Sequence, residues 1–369
     1  SGQQSVSGHN ASNSQVMTER VAVVGGGMFG ITSAVELARS GHDVTLYERC
    51  VDILIGTSGS NHWRLHRGYH YPQSDATARE TQKAEPLFRA RYKDAVIKDE
   101  SHYYAIAKES WVSPAEYTDF LDAHDLEYTK CDLDLVNDER IEQTLAVEEN
   151  HVCPEQLRSL CWDELEKSGV GIELGTHVSG LEELREYDHV VIATYAHINS
   201  ILPEGHTLRR RYKFEVCEVP IVALPERYLD NNIIVVYGPF MSTDHWGSTD
   251  HFAMGDYHHM RHHSTTGYEP DIPKRYASLV NEGLIDDPDF SNFQAFREHG
   301  QQYIPGVANA VHIGSLFTIR TILPDVDQTD ARPTLVRQAG DVTTVFGGKL
   351  ATSVQTAKQV VDKVETVNE

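Results

Sequence analysis

Residues 20–49 read RVAVVGGGMFGITSAVELARSGHDVTLYER, and this stretch decides the fold. It begins with an apolar run at 20–24, passes through three glycines into a segment with helical periodicity at 31–40, and closes with a strand-like run at 42–49. Strand, glycine turn, helix and strand in this order form the βαβ unit that binds the ADP half of a dinucleotide. The sequence therefore predicts a dinucleotide-binding sheet.

The glycines of this turn have separate tasks. Gly25 permits the tight turn, Gly27 lets the backbone approach a pyrophosphate, and Gly30 lets the helix pack close to the strand. The N-terminus of the helix presents N–H groups and a partial positive charge to phosphates. Glu48 stands at the end of the second strand, where a carboxylate can accept both hydroxyls of a ribose.

The length and the net charge of the chain limit its number of domains and its possible binding partners. The chain has 369 residues, which suits two domains, and a formal net charge of -23 at pH 7. That charge argues against binding a nucleic-acid backbone and against docking on an anionic membrane surface. No stretch of the sequence approaches the ~20 apolar residues that span a bilayer. We therefore expect no nucleic-acid partner and no membrane insertion.

The N-terminal residues and the cysteines indicate the cellular compartment of the protein. Residues 1–16 are rich in Ser, Asn, Gln and Gly and lack the apolar core of a signal peptide, which predicts a disordered tail or an added leader. The five cysteines are widely spaced and form no C-x-x-C pair, so they predict neither a disulfide framework nor a zinc site. A reducing, cytoplasmic environment is expected.

Periodicity and turn residues predict the remaining elements. Helices are expected at residues 77–95, 114–124, 154–168, 273–282, 290–298 and 350–364. Strands are expected within 101–135 and at 171–174, 178–180, 188–194, 212–222, 233–237, 252–257, 311–320 and 342–346. Strand-rich insertions thus separate the α/β regions, which indicates a discontinuous nucleotide-binding domain that carries a second domain.

The end of the chain distinguishes between the two common dinucleotides. A nicotinamide dehydrogenase normally continues its βαβ units in sequence, but this chain leaves the nucleotide fold after Glu48. Its last part, TTVFGGKLAT (343–352), predicts a strand that passes through a glycine pair into a helix. A second helix N-terminus suits the isoalloxazine of a flavin, where negative charge develops on reduction. The sequence therefore favours FAD over NAD.

Several motifs resemble those of known flavoenzymes. TSGSN (57–61) with LHRGYHY (65–71) is similar to the flavin loop of the L-2-hydroxyglutarate dehydrogenase family. Ile319-Arg320 and VFGGKL (345–350) are similar to segments of the flavin-dependent glycerol-3-phosphate dehydrogenases. Both groups belong to the D-amino-acid oxidase (DAO) superfamily of FAD-dependent oxidoreductases, which this chain resembles.

Together with the predicted elements, the resemblance implies an α/β fold in two parts. A discontinuous Rossmann-like FAD-binding domain is expected at residues 17–75, 146–200 and 305–369. A second α+β substrate domain, built on an antiparallel sheet, is expected at residues 76–145 and 201–304.

The resemblance also implies which residues contact FAD. They lie in the glycine turn, at the end of the second strand, in the loop after residue 56, and around the second glycine pair. The expected cofactor-binding residues are Gly25, Gly27, Met28, Phe29, Gly30, Glu48, Arg49, Ser58, Asn61, Arg64, Leu65, His66, Val178, Thr194, Gly347, Gly348, Lys349, Leu350, Ala351 and Thr352.

Three residues are candidates for the chemistry. Arg320 is the expected clamp for a substrate carboxylate or phosphate, and the alternative is a surface arginine at a strand end. Lys349 balances a reduced flavin, touches the substrate or points to solvent. His66 contacts FAD, acts as the base that accepts a hydroxyl proton, or carries a covalent flavin link.

Histidines are frequent between residues 244 and 263 and invite a metal hypothesis. Their spacing fits no tight ligand set, so we expect no metal. One or two residues of this stretch are expected to face the substrate instead. The expected substrate contacts are His70, Tyr71, His245, Tyr257 and Arg320.

These expectations lead to a leading hypothesis and three alternatives. The leading one is an FAD-dependent enzyme that transfers a hydride from a CH–OH or CH–NH carbon of a small, polar, anionic substrate to flavin N5. A hydroxy acid or polyol derivative is slightly favoured, and oxygen or another acceptor reoxidises the flavin. The alternatives are an amine or amino-acid oxidase of a specialised biosynthetic pathway, a flavoprotein without turnover, and a nicotinamide dehydrogenase.

Overall fold

The computed structural model describes residues 18–98, 100–238, 241–324 and 332–366, so the predicted tail at residues 1–16 lies outside the described part. The strands are β1 (Arg20–Val24), β2 (Asp43–Tyr47), β3 (Arg64–Leu65), β4 (Ser101–Ala107), β5 (Tyr128–Cys131), β6 (Ile141–Val147), β7 (Asn150–His151), β8 (Gly171–Glu173), β9 (His189–Ile192), β10 (Tyr212–Ala223), β11 (Asn231–Val236), β12 (Met241–His245), β13 (Phe252–Asp256), β14 (Arg261–Gly267), β15 (Val311–Ile322), β16 (Leu335–Ala339) and β17 (Val342–Phe346). The α-helices are α1 (Met28–Arg39), α2 (Asp75–Arg91), α3 (Pro114–Ala123), α4 (Pro154–Lys167), α5 (Ile198–Ile201), α6 (Lys274–Ala277), α7 (Phe293–Gly300) and α8 (Ser353–Thr366).

The first sheet is built around the predicted βαβ unit. Its six strands follow the order β16-β17-β9-β1-β2-β8, and only the edge strand β16 runs antiparallel to its neighbour. The predicted strand, helix and strand of residues 20–49 are confirmed as β1, α1 and β2. β17, from the end of the chain, lies beside β9 and only two places from β1.

The apolar run of β1 reflects burial on both faces of this sheet. Val21 and Val23 pack into a cluster with the apolar sides of α1, α4 and α8. Ala22 and Val24 pack on the opposite face, in a cluster that includes residues 196–214. Central strands of parallel sheets lack polar alternation for this reason.

The second sheet has nine strands in the order β14-β10-β13-β12-β11-β4-β6-β5, with β15 on the other side of β10. Most neighbours run antiparallel, whereas β4 and β11 are parallel. The mixed α/β architecture with a second, mainly antiparallel sheet confirms the predicted fold class. The domain boundaries stay a prediction.

Three local predictions differ from the structure. The strand predicted at 311–320 was grouped with the FAD-binding domain, but β15 pairs along its whole length with β10 of the second sheet. Residues 178–180 form no strand, because Ser179 donates its backbone N–H to Glu183 Oε1 and the chain turns into a 3-10 helix. The helix predicted at 273–282 is reduced to α6, since Val280 forms a β-bridge with Phe317.

Three backbone segments meet closely at the glycine turn. Gly25 has φ +113°, and a Cβ there would lie 2.7 Å from Ala193 O, just after β9. A Cβ on Gly30 of α1 would collide with the carbonyl oxygen of Gly25. The helix therefore approaches the turn as closely as it does only because both positions are glycine.

The described ranges contain no helix that is a candidate for crossing a membrane. None of their helices combines the length and the apolar character that such a crossing requires.

Gly30→Ala should lower the free energy of unfolding by about 1–3 kcal/mol, because the new methyl group overpacks the contact between α1 and the turn. Urea denaturation followed by circular dichroism measures this loss. Gly267→Ala is the matched control, since a Cβ there meets nothing closer than Glu269 O at 3.6 Å. Equal stability of the two variants would contradict the close approach at Gly30.

Candidate functional site

A cavity of about 770 Å³ lies between the two sheets. On one side it is lined by residues that follow the carboxyl ends of β1, β2, β9 and β17. On the other side it is lined by residues of β10, β12, β13 and β15. The carboxyl ends of parallel strands are where such folds bind their ligands, and the volume suits an organic molecule.

The structure brings most of the predicted site residues together at this cavity. The predicted residues that line it are Gly25, Gly27, Met28, Phe29, Glu48, Arg49, Ser58, Asn61, Arg64, His66, His70, Tyr71, Val178, Thr194, Tyr257, Arg320, Gly347, Gly348, Lys349 and Leu350. The predicted residues outside its lining are Gly30, Leu65, His245, Ala351 and Thr352.

Glu48 is held rigidly at the end of β2. Its Oε2 accepts a hydrogen bond from the backbone N–H of Gly26 at 2.6 Å, and its Oε1 accepts one from Cys50 N–H at 2.8 Å. Gly27 caps α1 without a side chain, and the N–H of Met28 reaches only Ser58 Oγ, at 3.2 Å. A carboxylate and a helix N-terminus thus lie side by side, as the dinucleotide motif requires.

The second glycine pair closes the cavity from the other end of the chain. A Cβ on Gly347 would lie 2.5 Å from the ring of Phe29, in the first turn of α1, so glycine lets the two segments approach closely. Lys349 is 5 % exposed and donates from Nζ to Arg332 O at 2.5 Å and to Glu80 Oε2 at 3.1 Å. The alternative in which Lys349 points to solvent is therefore wrong.

Arg320 lies on β15 and faces a buried carboxylate. Its Nη2 is 2.6 Å from Glu215 Oε2, and its guanidinium lies 5.6 Å from the ring centre of Tyr257. The Nζ of Lys213 and Nη1 of Arg261 also lie 3.2 and 3.0 Å from Glu215 Oε1. Three cations thus share one carboxylate beside the cavity. The alternative of a surface arginine does not fit this placement.

The charge state of Arg320 follows from these neighbours. Burial acts to lower the pKa of its guanidinium, but Cys217 and Glu215 outweigh it and raise that pKa. Burial likewise acts to raise the pKa of Glu215, while Arg320 and Arg261 hold it below the usual value. Both groups are therefore ionised at neutral pH.

His66 faces the cavity with a buried carboxylate behind it. Its Nδ1 lies 3.6 Å from Glu149 Oε1, and Tyr104 donates its hydroxyl to Glu149 Oε2 at 2.8 Å. Burial lowers the pKa of His66, although Glu149 partly opposes this effect. Burial also lowers the pKa of His70 well below the usual value. The two imidazoles are thus neutral and can accept a proton.

Arg64 is buried between two carboxylates. Its guanidinium contacts Asp244 of β12, and its Nε lies 3.9 Å from Glu149 Oε2. Burial acts to raise the pKa of Glu149, but the adjacent His66 and the charge of Arg64 hold it below the usual value. Arg64 was predicted to face the cofactor, but its positive charge is largely compensated by these two carboxylates.

Sequence reasoning missed part of the cavity lining. His62 and Asp244 both line it, and His62 Nδ1 lies 2.8 Å from Asp244 Oδ2. His62 stands in the loop already assigned to FAD, between Asn61 and Arg64, so its neighbours could have indicated it. Trp111 also lines the cavity and carries no sequence signal.

His245 lies away from the cavity, which corrects its assignment as a substrate contact. Its Nδ1 is 2.6 Å from Glu100 Oε1. Elsewhere in the described part of the chain, two groups of side chains bring possible metal-ligating atoms within 4.8 Å of one another: Glu100, His102 and His151, and Asp256, His259 and His299. The absence of a bound metal stays a prediction.

Comparison with protein families supports the interpretation of the cavity. A family model described as DAO, FAD dependent oxidoreductase, matches residues 20–354. This match covers both sheets and every residue of the cavity lining that was predicted from the sequence.

Two curated fungal relatives share part of the chain. The FAD-dependent monooxygenase kojA of Aspergillus flavus is 44% identical over 86 residues, which cover 23% of this chain and 20% of that protein. The FAD-dependent monooxygenase FPY4 of Fusarium mangiferae is 25% identical over 186 residues, which cover 48% of this chain and 50% of that protein. The matched part thus spans about a fifth of the length of kojA and half of the length of FPY4.

Solved structures share the fold over nearly the whole chain. Glycine oxidase from Geobacillus kaustophilus aligns with a TM-score of 0.69 and 16% identity, covering 95% of both chains. L-proline dehydrogenase from P. horikoshii aligns with a TM-score of 0.71 and 14% identity, covering 94% of this chain and 93% of that one. L-alpha-glycerophosphate oxidase from Mycoplasma pneumoniae aligns with a TM-score of 0.66 and 14% identity, over 94% and 95%.

Glu48→Gln should weaken FAD binding by about 10- to 100-fold, because hydrogen bonds to a charged group contribute about 1.5–3 kcal/mol. Titrating FAD into the flavin-free protein and following flavin fluorescence measures this change. Glu173→Gln, on the exposed end of β8, is the control that should leave the affinity unchanged. An unaltered dissociation constant for Glu48→Gln would refute the role of this carboxylate.

Proposed function

Because the chain belongs to the DAO family of FAD-dependent oxidoreductases, we propose that it oxidises a CH–OH or CH–NH carbon of a small, polar substrate that carries an anionic group. The observation that carries this proposal is one cavity that is lined both by the glycine turn after β1 and by Arg320 and His66. Of the two substrate types, the hydroxyl compound is preferred.

The residues of the cavity fit FAD. Gly25 and Gly347 both line the cavity, and a Cβ at either position would lie within 3 Å of a neighbouring group. Glu48 and the N-terminus of α1 would hold the ribose and the pyrophosphate, while Gly348 and Lys349 would adjoin the flavin. When bound, FAD supplies an acceptor for two electrons and a proton in the form of a hydride.

Arg320 would orient the substrate by its anionic group. A guanidinium forms paired hydrogen bonds with a carboxylate or a phosphate. Glu215 fixes the side chain of Arg320 in place, at 2.6 Å from its Nη2. The guanidinium is thus preorganised to meet an anionic group of the substrate.

His66 would accept the proton of the substrate hydroxyl. A hydroxyl proton is lost only to a base, and a neutral imidazole provides one at physiological pH. Glu149 behind the ring stabilises the imidazolium that results. An amino group is protonated at neutral pH and must likewise lose a proton before a hydride can leave, so a neutral histidine would serve either substrate. The hydroxyl is preferred because the loop at residues 57–71 is similar to the flavin loop of the L-2-hydroxyglutarate dehydrogenase family.

The amine remains the second candidate. Glycine oxidase and L-proline dehydrogenase, which share the fold, are named for amino acids. The cations around Arg320 would serve an amino-acid carboxylate as well as a hydroxy acid. A third candidate is a flavoprotein without turnover, which would bind FAD that no substrate reduces.

All five cysteines are free, which supports the proposed reducing, cytoplasmic setting.

Arg320→Ala should lower kcat/KM by about 10- to 100-fold while FAD content is retained, since it removes a charged hydrogen-bond donor from the substrate. Steady-state kinetics and visible absorbance measure the two quantities. Arg227→Ala is the control, because Arg227 is exposed, pairs with Asp134 and lies outside the cavity lining. An Arg320→Ala variant as active as wild type would exclude the clamp.

Anaerobic mixing with a panel of compounds should identify the substrate class. The panel comprises L-2-hydroxyglutarate, glycerol 3-phosphate, lactate, glycine, L-proline and D-alanine, and loss of the oxidised flavin absorbance reports reduction. Faster reduction by the hydroxy compounds is expected, because the loop that carries His66 is similar to that of the L-2-hydroxyglutarate dehydrogenase family. Reduction by the amines alone would reverse this order, and reduction by none would favour the flavoprotein without turnover.

A further inference from the structure

An exposed tryptophan borders the cavity. The large apolar side chains that stay exposed in the described part of the chain are Val51, Trp111, Tyr268, Phe290 and Val311. Trp111 is 67% exposed, and it alone among these five lines the cavity. Tryptophan combines a large apolar surface with a polar N–H, so it is a frequent contact residue where a protein meets another molecule. The position of Trp111 therefore points to a role towards the ligand of the cavity.

One face of the Trp111 indole is covered by the protein itself. A Cβ on Gly238 would lie 2.9 Å from Cδ1, 2.9 Å from Nε1 and 3.0 Å from Cε2 of this ring. Nearly equal distances to three consecutive ring atoms place that point above the ring face and not beside its edge. The backbone of Gly238 therefore covers one face, and the opposite face is left for a ligand.

The backbone holds the indole in place although the side chain is exposed. The N–H of Trp111 donates to Tyr237 O at 2.8 Å, and the N–H of Tyr237 donates to Ser110 Oγ at 2.8 Å. The rings of Trp111 and Tyr237 meet edge to face, with centres 5.6 Å apart and planes at 74°. Both residues line the cavity. Because the pair is preorganised, a ligand that packs against it loses little entropy in ordering side chains.

The aromatic pair and Arg320 lie at separate places of the second sheet. Trp111 follows β4 and Tyr237 follows β11, whereas Arg320 belongs to β15. Since β10, β13 and β12 lie between β15 and β11, four strand spacings, at most about 19 Å, separate these two strands. A ligand that contacts both Arg320 and the aromatic pair therefore has its anionic group and its apolar group at different ends.

We propose that Trp111 and Tyr237 form an aromatic subsite that binds a planar ring of the substrate. The proposal rests on the proposed function and narrows its substrate class to anionic hydroxy or amino compounds that carry an aromatic ring. Arg320 would bind the anionic end, His66 would meet the reacting group, and the open face of Trp111 would stack on the ring.

An aromatic ring suits this subsite better than an aliphatic group of similar size. The face of an aromatic ring is partly negative and its edge partly positive, so two aromatic rings attract each other beyond the effect of the area that they bury. An aliphatic ring gains only from the buried area. A comparison of phenyl with cyclohexyl compounds therefore isolates the aromatic contribution.

Binding to the FAD-loaded protein tests the subsite without turnover. The ligands are 2-oxo acids, which have no hydrogen on the oxidised carbon: pyruvate, and a series of ω-phenyl-2-oxo acids that differ in the number of methylene groups before the ring. The change in visible flavin absorbance measures each dissociation constant. The best phenyl compound should bind at least about tenfold more tightly than pyruvate, and more tightly than its cyclohexyl analogue.

Substitution of Trp111 tests whether this residue provides the contact. Trp111→Ala should lower the ratio of phenyl-compound affinity to pyruvate affinity about tenfold, whereas Trp111→Phe should retain part of it. A variant that merely folds poorly changes both affinities alike, so the ratio reports the contact itself. Tyr268→Ala is the matched control, because Tyr268 is an aromatic residue that is 48% exposed but lies outside the cavity lining.

Anaerobic flavin reduction tests the consequence for substrate choice. Among the matching 2-hydroxy acids, the best phenyl compound should reach half of its limiting rate at a lower concentration than lactate does. Trp111→Ala should raise this concentration more than it changes the limiting rate, because the subsite contributes binding away from the reacting carbon. Tyr268→Ala should react as wild type does.

The outcomes separate the subsite from the function on which it rests. Equal affinities for the phenyl and cyclohexyl compounds, or an unaltered affinity ratio in Trp111→Ala, would overturn the aromatic subsite while leaving the oxidation intact. Tight binding of a phenyl compound by a protein that no hydroxy or amino acid reduces would support the subsite and overturn the oxidation. A protein that binds none of the 2-oxo acids and is reduced by none of the substrates would overturn both.

Discussion

The buried charge of Arg64 is the constraint on which the rest of the site depends. Its side chain is 3% exposed and is met by Asp244 of β12 and by Glu149, which follows β6. Removing one partner of a buried ion pair typically costs about 3–5 kcal/mol, because the remaining charge is uncompensated. The loop after β2 is thereby tied to two distant segments of the second sheet, and these carboxylates in turn position the histidines of the cavity.

The first sheet was predictable because its signals are local. The glycines at 25 and 30, the apolar run of β1 and the helical periodicity of α1 lie within thirty residues of sequence. The sheet to which β15 belongs was not predictable, for the opposite reason. The residues of a long apolar strand do not indicate which sheet it joins. Its pairing with β10 joins segments as far apart in sequence as Lys213 and Ile322.

The candidate site was predictable where a motif carried it. Glu48, Arg320 and Lys349 were named from short motifs, and all of them line the cavity. The partners of these residues were not predictable, since Glu215 and Glu149 stand in stretches without a motif and meet their cations only after folding. His245 was misplaced because its histidine-rich stretch gave no indication of which face of β12 it occupies.

The position of β17 has a consequence for how the protein is made. The chain runs from Ile192 to Val342 between β9 and β17, yet these two strands pair directly in the first sheet. During translation β9 therefore waits with an unpaired edge, which is a site where nascent chains aggregate. Since Gly347 and Gly348 follow β17, the cavity is completed only after this second glycine pair has been synthesised. Capture of FAD would then have to await β17, and only from that point would the cofactor stabilise the new chain against misfolding.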